Sequence, residues 1–180
     1  RAGCEDDGGL VADDGPRRRD AGAPSRLVEA VVAVNDARKA DMSARVINAW
    51  GGSVRGRRIA VLGLTFKPDT DDMRDSPSIP IIARLAEDGA EVCVYDPQGM
   101  DQARPMLPLN VTYCGSANEA LEAADALVLV TEWDEFRTLL PASIRARMAG
   151  DVVVDLRNIF EPAAMTAAGL RYHGIGITPR

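Results

Sequence analysis

The chain has 180 residues, 46% of them hydrophobic and 4% aromatic, which is enough for one α/β domain with an appended segment. Its formal net charge of −6 argues against nucleic acid as a partner, because binding phosphates requires clustered Lys and Arg. No apolar run approaches the ~18 residues that cross a bilayer, and no signal-peptide core is visible, so we expect a cytoplasmic protein that does not contact membranes.

The sequence indicates neither a metal site nor a disulfide framework. The three cysteines have no metal-ligand spacing, and Cys93 and Cys114 lie in or at the end of apolar runs, which favours a structural role. His173 has no second ligand at suitable spacing and is also predicted to be structural.

The N-terminal part of the chain changes character near residue 24. Residues 1–24 contain two isolated aliphatic residues among Gly, Asp, Arg and Pro, and we predict that they are disordered. Apolar residues then recur at helical spacing until Gly51-Gly52, which predicts one long helix over residues 25–52. The residues between the capping serine and the two glycines, 26–50, would form a helix of roughly 37 Å at ~1.5 Å per residue, which is suited to spanning two domains or to packing against a second chain.

Strand-like and helix-like segments alternate over residues 57–176. Strands are predicted at 57–63, 91–96, 111–113, 126–130, 151–156 and 171–176, and helices at 78–88, 117–123, 135–148 and 162–167. This alternation predicts an α/β, Rossmann-like open parallel sheet with helices on both faces.

Ligands of such sheets bind at the carboxyl ends of the strands. Polar residues follow three predicted strands, at 63–74, 131–133 and 157–158, and we expect them to meet at one edge. Asp96, after the second strand, either binds a ribose hydroxyl or starts a turn, and the turn is favoured. Arg157 either binds a ligand or pairs with a loop carboxylate, and the sequence favours neither.

The loop after the first strand, residues 63–78, has the sequence GLTFKPDTDDMRDSPS. A dinucleotide fingerprint aligned on Gly63 would require glycine where Thr65 and Pro68 stand, so this loop is not a primary NAD site. Phosphate binding would therefore use the side chains of Lys67 and Arg74.

Lys67 is one of only two lysines in a chain with nineteen arginines, which favours a specific need for an ammonium group there, with chance as the alternative. The four aspartates of the loop would orient the cations, cap the helix that begins near Ser76, or remain solvated; the last two roles are favoured for most of them.

Four segments together resemble a known family. They are AVLGLTFKPDTDDMRDSPS, VYDP, ALVLVTEWDEF and VVVDLRNIF, and their order and spacing closely resemble the C-terminal, UDP-binding domain of the UDP-glucose/GDP-mannose dehydrogenase family. The segment GAPSRLVEAVVAVNDARKADM is similar to that family's long central helix, and the form VTEWDEF resembles the UDP-glucose branch most. The resemblance covers residues 20–176.

The resemblance implies a role for each matching position. Phe66, Lys67 and Arg157 would contact the UDP-sugar, and Arg74 would reach NAD held by another domain. In the full-length enzyme the long helix would link two domains and form the core of a homodimer. The implied chemistry is NAD-dependent, four-electron oxidation of UDP-glucose to UDP-glucuronate through a cysteine thioester.

The chain also departs from the family pattern. The family's N-terminal NAD-binding domain and its GGSCFPKD segment have no counterpart in the sequence, and Cys4, in RAGCEDDGG, does not match, so no catalytic residue is assigned. We therefore expect this chain alone to bind the UDP-sugar without turnover. Residues 1–19 are mostly of types encoded by GC-rich codons, which suggests that they are an out-of-frame or truncated remnant of the catalytic segment.

The sequence also leaves open two alternatives to the hypothesis that this chain is part of a dehydrogenase. One is a stand-alone UDP-sugar-binding module that partners a separately encoded dehydrogenase half. The other is an unrelated flavodoxin-like interaction domain, which would not bind UDP.

Overall fold

The computed structural model describes residues 26–177, so the segment predicted to be disordered, residues 1–24, lies outside the described residues. By compactness the described chain divides into two units, residues 26–38 and residues 39–177. Helix α1 (Arg26–Trp50) begins in the first unit and ends in the second. It stops at Gly51 and Gly52, whose positive φ angles of 103° and 111° favour glycine and end the helical path.

Helix α1 has different surroundings in the two units. In the first unit its large apolar side chains are exposed by 39% to 78%, namely those of Leu27, Val28, Val31, Val32 and Val34. In the second unit Val46 is buried in the core of the sheet domain, and Met42, Ile47 and Trp50 pack against that core.

The second unit alternates strands and helices along the chain. The strands are β1 (Arg58–Leu62), β2 (Glu91–Tyr95), β3 (Thr112–Tyr113), β4 (Ala126–Leu129), β5 (Val152–Asp155) and β6 (Arg171–Gly174). The helices are α2 (Ser78–Glu87), α3 (Met100–Ala103), α4 (Ala117–Leu121), α5 (Asp134–Arg137), α6 (Pro141–Arg147) and α7 (Pro162–Ala167).

The six strands form one parallel sheet in the order β3-β2-β1-β4-β5-β6. This is the doubly wound order of nucleotide-binding folds, and it confirms the predicted Rossmann-like parallel sheet. The flavodoxin-like alternative is wrong, because that fold has the order 2-1-3-4-5. All residues of β4 and β5 are buried, and apolar clusters lie on both faces of the sheet.

The prediction of one helix over residues 135–148 is wrong, because two short helices occupy this stretch. Helix α5 ends at Arg137, and α6 starts at Pro141. Leu140, just before the proline, has an extended backbone with ψ of 135°. Proline disfavours the helical conformation in the residue that precedes it, so the helical run is interrupted here.

The ionisable groups predicted to be structural are buried or partly buried. Cys93 and Cys114 are buried and unpaired, and burial raises the pKa of both thiols, to about 11 for Cys114. The pKa of His173 is lowered by burial and by the nearby charge of Arg171. Over residues 26–177 no His, Cys, Asp and Glu side chains cluster as metal ligands, and no helix has the length and apolarity to span a membrane.

Candidate functional site

The loop that follows β1 lies at the point where the strand order reverses, because β1 is flanked by β2 on one side and β4 on the other. Gly63 opens this loop with φ of 87°, and its N–H donates to the Tyr95 carbonyl over 2.9 Å. A Cβ at this position would lie 2.6 Å from the backbone nitrogen of Thr131. Glycine therefore allows the chain segments after β1 and β4 to approach each other closely.

Asp96, the residue after β2, holds this loop in place. Its side chain is buried and accepts six hydrogen bonds of 2.7 to 3.2 Å. Four donors bond to Oδ2, namely Leu64 N, Thr65 N, Thr65 Oγ1 and Trp133 Nε1. Two donors bond to Oδ1, namely Gln98 N and Gly99 N. The bonds from Gln98 and Gly99 form the turn favoured by the sequence. The ribose alternative does not hold, because the chain's own donors occupy both carboxylate oxygens.

Buried hydroxyl groups hold the carbonyl groups of the same loop. Ser76 Oγ and Ser78 Oγ each donate to the Leu64 carbonyl over 2.6 Å. Thr131 Oγ1 donates to the Thr65 carbonyl over 2.6 Å. Leu64 and Thr65 are thus bonded at both their N–H and their C=O groups, so the backbone that leads into Phe66 is fixed.

Phe66 and Lys67, the next two residues, are exposed. The Phe66 N–H donates to the Asp72 carbonyl over 2.9 Å, and Phe66 is 48% exposed. Lys67 forms no hydrogen bond or ion pair with any residue in the described range, but its charge contributes to lowering the pKa of Asp72. The Lys67 ammonium group therefore remains available to an anion.

Arg157, after β5, links three strand ends. Its Nε–H donates to the Val130 carbonyl over 2.7 Å, and Nη2 donates to the Phe66 carbonyl over 3.4 Å. Nε also lies 2.9 Å from Glu132 Oε2, a buried oxygen that accepts no hydrogen bond from the described residues. The carboxylate pairing considered from the sequence is thus present, with Glu132 as the partner, and the three strand ends meet as expected.

Asp155, the last residue of β5, fixes the loop that carries Arg157. It is fully buried and accepts hydrogen bonds from Arg157 N at Oδ1 and from Ile159 N, Phe160 N and Tyr172 OH at Oδ2. Burial and the charge of Asp155 raise the pKa of Tyr172 well above its usual value. Sequence reasoning missed this residue, although an acidic side chain at the end of an apolar run was a visible signal.

Arg74 and Asp72 form a bidentate ion pair in the same loop. Arg74 Nε donates to Oδ1 over 2.9 Å and Nη2 donates to Oδ2 over 2.8 Å, and the pair lowers the pKa of Asp72 to about 2. The Arg74 side chain is nevertheless 87% exposed. Both residues line a cavity of about 480 Å³ together with Thr70, Asp71, Met73, Gln102 and Met106.

Asp71 and Asp72 do not cap the helix that follows, so the capping interpretation is wrong for these two aspartates. The N-cap position of α2 is Pro77, which makes no side-chain capping bond. Asp72 instead orients Arg74, and Asp71 accepts a hydrogen bond from Gln102 Nε2 over 2.7 Å. Serine hydroxyls hold the turn around Ser76 and Ser78.

Residues 60–162 match the family model described as the UDP-binding domain of the UDP-glucose/GDP-mannose dehydrogenase family. The chain belongs to this family. The matched range contains the loop after β1, the residues after β4 and Arg157, all of which meet at the edge described above. The family resemblance inferred from sequence motifs is thereby confirmed.

Relatives of this family cover most of the chain. The UDP-glucose 6-dehydrogenase of Rhizobium meliloti (strain 1021) is 49% identical over 158 residues, which are 88% of this chain and 36% of that protein. UDP-glucose 6-dehydrogenase TuaD of Bacillus subtilis (strain 168) is 37% identical over 158 residues, 88% of this chain and 34% of that protein. The chain thus spans about a third of the length of these curated relatives.

A solved structure of the same family has a similar fold. A UDP-glucose dehydrogenase from the hyperthermophilic archaeon Pyrobaculum islandicum aligns with a TM-score of 0.72 and 30% identity. The alignment covers 91% of this chain and 35% of the archaeal chain. The fold and the sequence motifs therefore point to the same family.

Proposed function

We propose that this chain is the UDP-sugar-binding part of an NAD-dependent UDP-glucose 6-dehydrogenase, an oxidoreductase that converts UDP-glucose to UDP-glucuronate. The observation that carries the proposal is the match of residues 60–162 to a UDP-binding domain, since these residues include every strand end that meets at the candidate edge. The relatives named for this activity support UDP-glucose as the nucleotide sugar.

Phe66, Lys67 and Arg157 are the proposed UDP-sugar contacts. The Lys67 ammonium is exposed and would bind the diphosphate as a point charge. Arg157 uses Nε and one Nη2 hydrogen within the protein, and its side chain is 34% exposed, so donors remain for substrate. Phe66 offers an exposed aromatic ring and a backbone carbonyl already bonded to Arg157.

NAD is the proposed cofactor, bound mainly by another domain of the enzyme. The described residues do not themselves fit a dinucleotide, because Thr65 fills the position of the second fingerprint glycine and Asp96 has no free oxygen for a ribose. Arg74 is the proposed contact to this cofactor. Asp72 holds one edge of its guanidinium, and donors on Nη1 remain for a phosphate.

We further propose that α1 forms the core of a homodimer and that the enzyme is cytoplasmic and supplies a sugar acid for polysaccharide synthesis. The exposed apolar side chains of α1 in the first unit support dimerisation, because a row of such residues marks an interaction surface. The other two assignments rest on the family.

Titration calorimetry with two nucleotide sugars tests the proposal. UDP-glucose is expected to release heat with the 180-residue chain, and GDP-mannose is expected to bind at least roughly tenfold more weakly, a difference of about 1.4 kcal/mol. Heat of equal size and affinity from both sugars would contradict the assignment to UDP-glucose. The same preparation is expected not to reduce NAD, because the catalytic thiolate segment is not in these residues.

A further inference from the structure

Asp96 occupies a position that is usually a ligand-binding position in this fold. In doubly wound sheets of this strand order, an acidic residue at the end of the second strand binds the ribose of a dinucleotide. Asp96 directly follows β2, but it is only 1% exposed and all six of its hydrogen bonds come from the chain itself.

The space beside Asp96 is filled by the loop after β1. Thr65 is fully buried, and a Cβ at Gly99 would lie 2.4 Å from Thr65 Cγ2 and 3.2 Å from Asp96 Oδ1. Trp133, which is 5% exposed, donates its indole N–H to Asp96 Oδ2 over 3.1 Å. Asp96 thus joins three segments of the chain, after β1, β2 and β4, at one buried point.

We propose that Asp96 is a positioning residue for the UDP-sugar site, an inference that rests on the proposed function. Its carboxylate fixes the N–H groups of Leu64 and Thr65, and the hydroxyls of Ser76, Ser78 and Thr131 fix their carbonyls. The exposed contacts, Phe66 and Lys67, follow directly after this fixed backbone.

This arrangement makes affinity depend on a residue that touches no ligand. A contact side chain held by a rigid backbone loses less conformational freedom on binding than one on a mobile loop. Weakening the hold of Asp96 on Leu64 and Thr65 would let Phe66 and Lys67 sample more positions in the free protein. The cost of ordering them would then reduce the affinity for UDP.

The test compares Asp96→Asn with Asp151→Asn. Asp151→Asn is the same chemical change at the amino ends of the strands, because Asp151 directly precedes β5. Asp151 is partly exposed and pairs with Arg171, so its change leaves the UDP site intact. In Asp96→Asn an amide NH₂ replaces one acceptor oxygen among backbone donors. UDP titration by calorimetry is expected to show a Kd at least tenfold higher for Asp96→Asn and within twofold of the unaltered chain for Asp151→Asn.

Trp133 provides a signal that a merely structural role for Asp96 would not change. With Trp50→Phe as background, Trp133 is the only tryptophan of the chain. UDP at saturation is expected to change Trp133 fluorescence little in the unaltered chain, because the segments around Asp96 are ordered before binding, and to change it more in Asp96→Asn, because binding then orders the loop. If Asp96→Asn does not fold, Trp133→Phe is the variant to use, because it removes one hydrogen bond to Asp96 and keeps the other five. The UDP Kd of Trp133→Phe is expected to rise at least threefold.

The outcomes separate this inference from the proposed function. The positioning role would be overturned, with the proposed function left intact, if folded Asp96→Asn bound UDP with a Kd within twofold of that of the unaltered chain. If Asp96→Asn does not fold, the same result for folded Trp133→Phe would overturn it. A folded Asp96→Asn whose Trp133 fluorescence responds to saturating UDP as little as that of the unaltered chain would also overturn the positioning role. No heat from UDP with the unaltered chain would overturn both.

Discussion

Two buried carboxylates and two exposed cations at the strand ends have different roles. Asp96 and Asp155 are buried, and each fixes the loop that carries a proposed contact. Lys67 and Arg74 are exposed, with Lys67 free of partners among the described residues. The buried carboxylates therefore hold the backbone, and the exposed cations remain available for anionic ligands.

The Asp72 and Arg74 pair predicts a specific titration. Because Arg74 lowers the pKa of Asp72 from 3.8 to about 2, the pair orders the loop fully above pH 3.8 and loses this contribution as the pH falls through about 2. In Arg74→Gln the pKa of Asp72 is expected to return toward 3.8. Carbon-detected NMR titration of the Asp72 carboxyl measures it, and an unchanged pKa in the variant would refute the pairing.

Gly63 predicts a large loss of stability on substitution. Gly63→Ala is expected to lower the free energy of unfolding by roughly 2–5 kcal/mol, because overpacking against Thr131 adds to left-handed strain. Gly56→Ala is the matched control: its φ of 68° carries the strain, but nothing lies within 4 Å, so about 1–2 kcal/mol is expected. Equal losses in urea unfolding would contradict the close approach to Thr131.

The residues at this edge could be identified from the sequence, but the contacts that hold them could not. Lys67 and Arg157 were identifiable because they follow predicted strands, and the ends of parallel strands share an edge. The anchoring role of Asp96 was not predictable, because its partners Leu64 and Trp133 lie 32 and 37 residues away in sequence. Only the strand order brings them together.

Among the elements, helix α4 (Ala117–Leu121) depends on its N-terminal cap. Ser116 Oγ accepts from Glu119 N over 3.1 Å, and Glu119 Oε2 accepts from Gly115 N over 2.7 Å. Ser116→Ala is expected to lower the free energy of unfolding by about 1 kcal/mol, because one helix N–H loses its acceptor. Thermal unfolding measures this, and Ser116→Asp, which restores an acceptor, is expected to recover most of the loss.

Helix α1 predicts the oligomeric state. Val31 is 53% exposed on this helix, and a charge there would be buried in the proposed dimer. Val31→Asp is expected to raise the dimer dissociation constant at least roughly tenfold, as for a central interface residue. Sedimentation velocity measures the change, with Glu29→Gln, on the same helix, as the control. A monomeric unaltered chain would contradict the proposed dimer.

For the elements, apolar periodicity located the strands and most helices of the sheet domain but overextended one helix. The apolar pattern runs on through residues 135–148, yet Pro141 starts a new helix after an extended Leu140. A proline that can begin a helix can also interrupt one, and the hydrophobic pattern alone does not distinguish these two roles.

For the molecule as a whole, the sequence predicted a parallel sheet but not its strand order. Alternating strands and helices are compatible with several doubly wound orders, and the position of β1 between β2 and β4 excludes the flavodoxin-like order. That placement brings the loop after β1 together with the residues after β4 and β5, and so creates the proposed UDP-sugar site.

Calorimetric titration of UDP into the unaltered chain and into Lys67→Ala is the decisive test of the proposed UDP-sugar site. We expect the unaltered chain to bind and Lys67→Ala to bind at least roughly tenfold more weakly, because a charge-assisted contact to phosphate is lost. Arg84→Ala, an exposed cation on α2 paired with Asp88, serves as the control and is expected to bind as the unaltered chain does. Equal affinity of the unaltered chain and Lys67→Ala would contradict the assigned site.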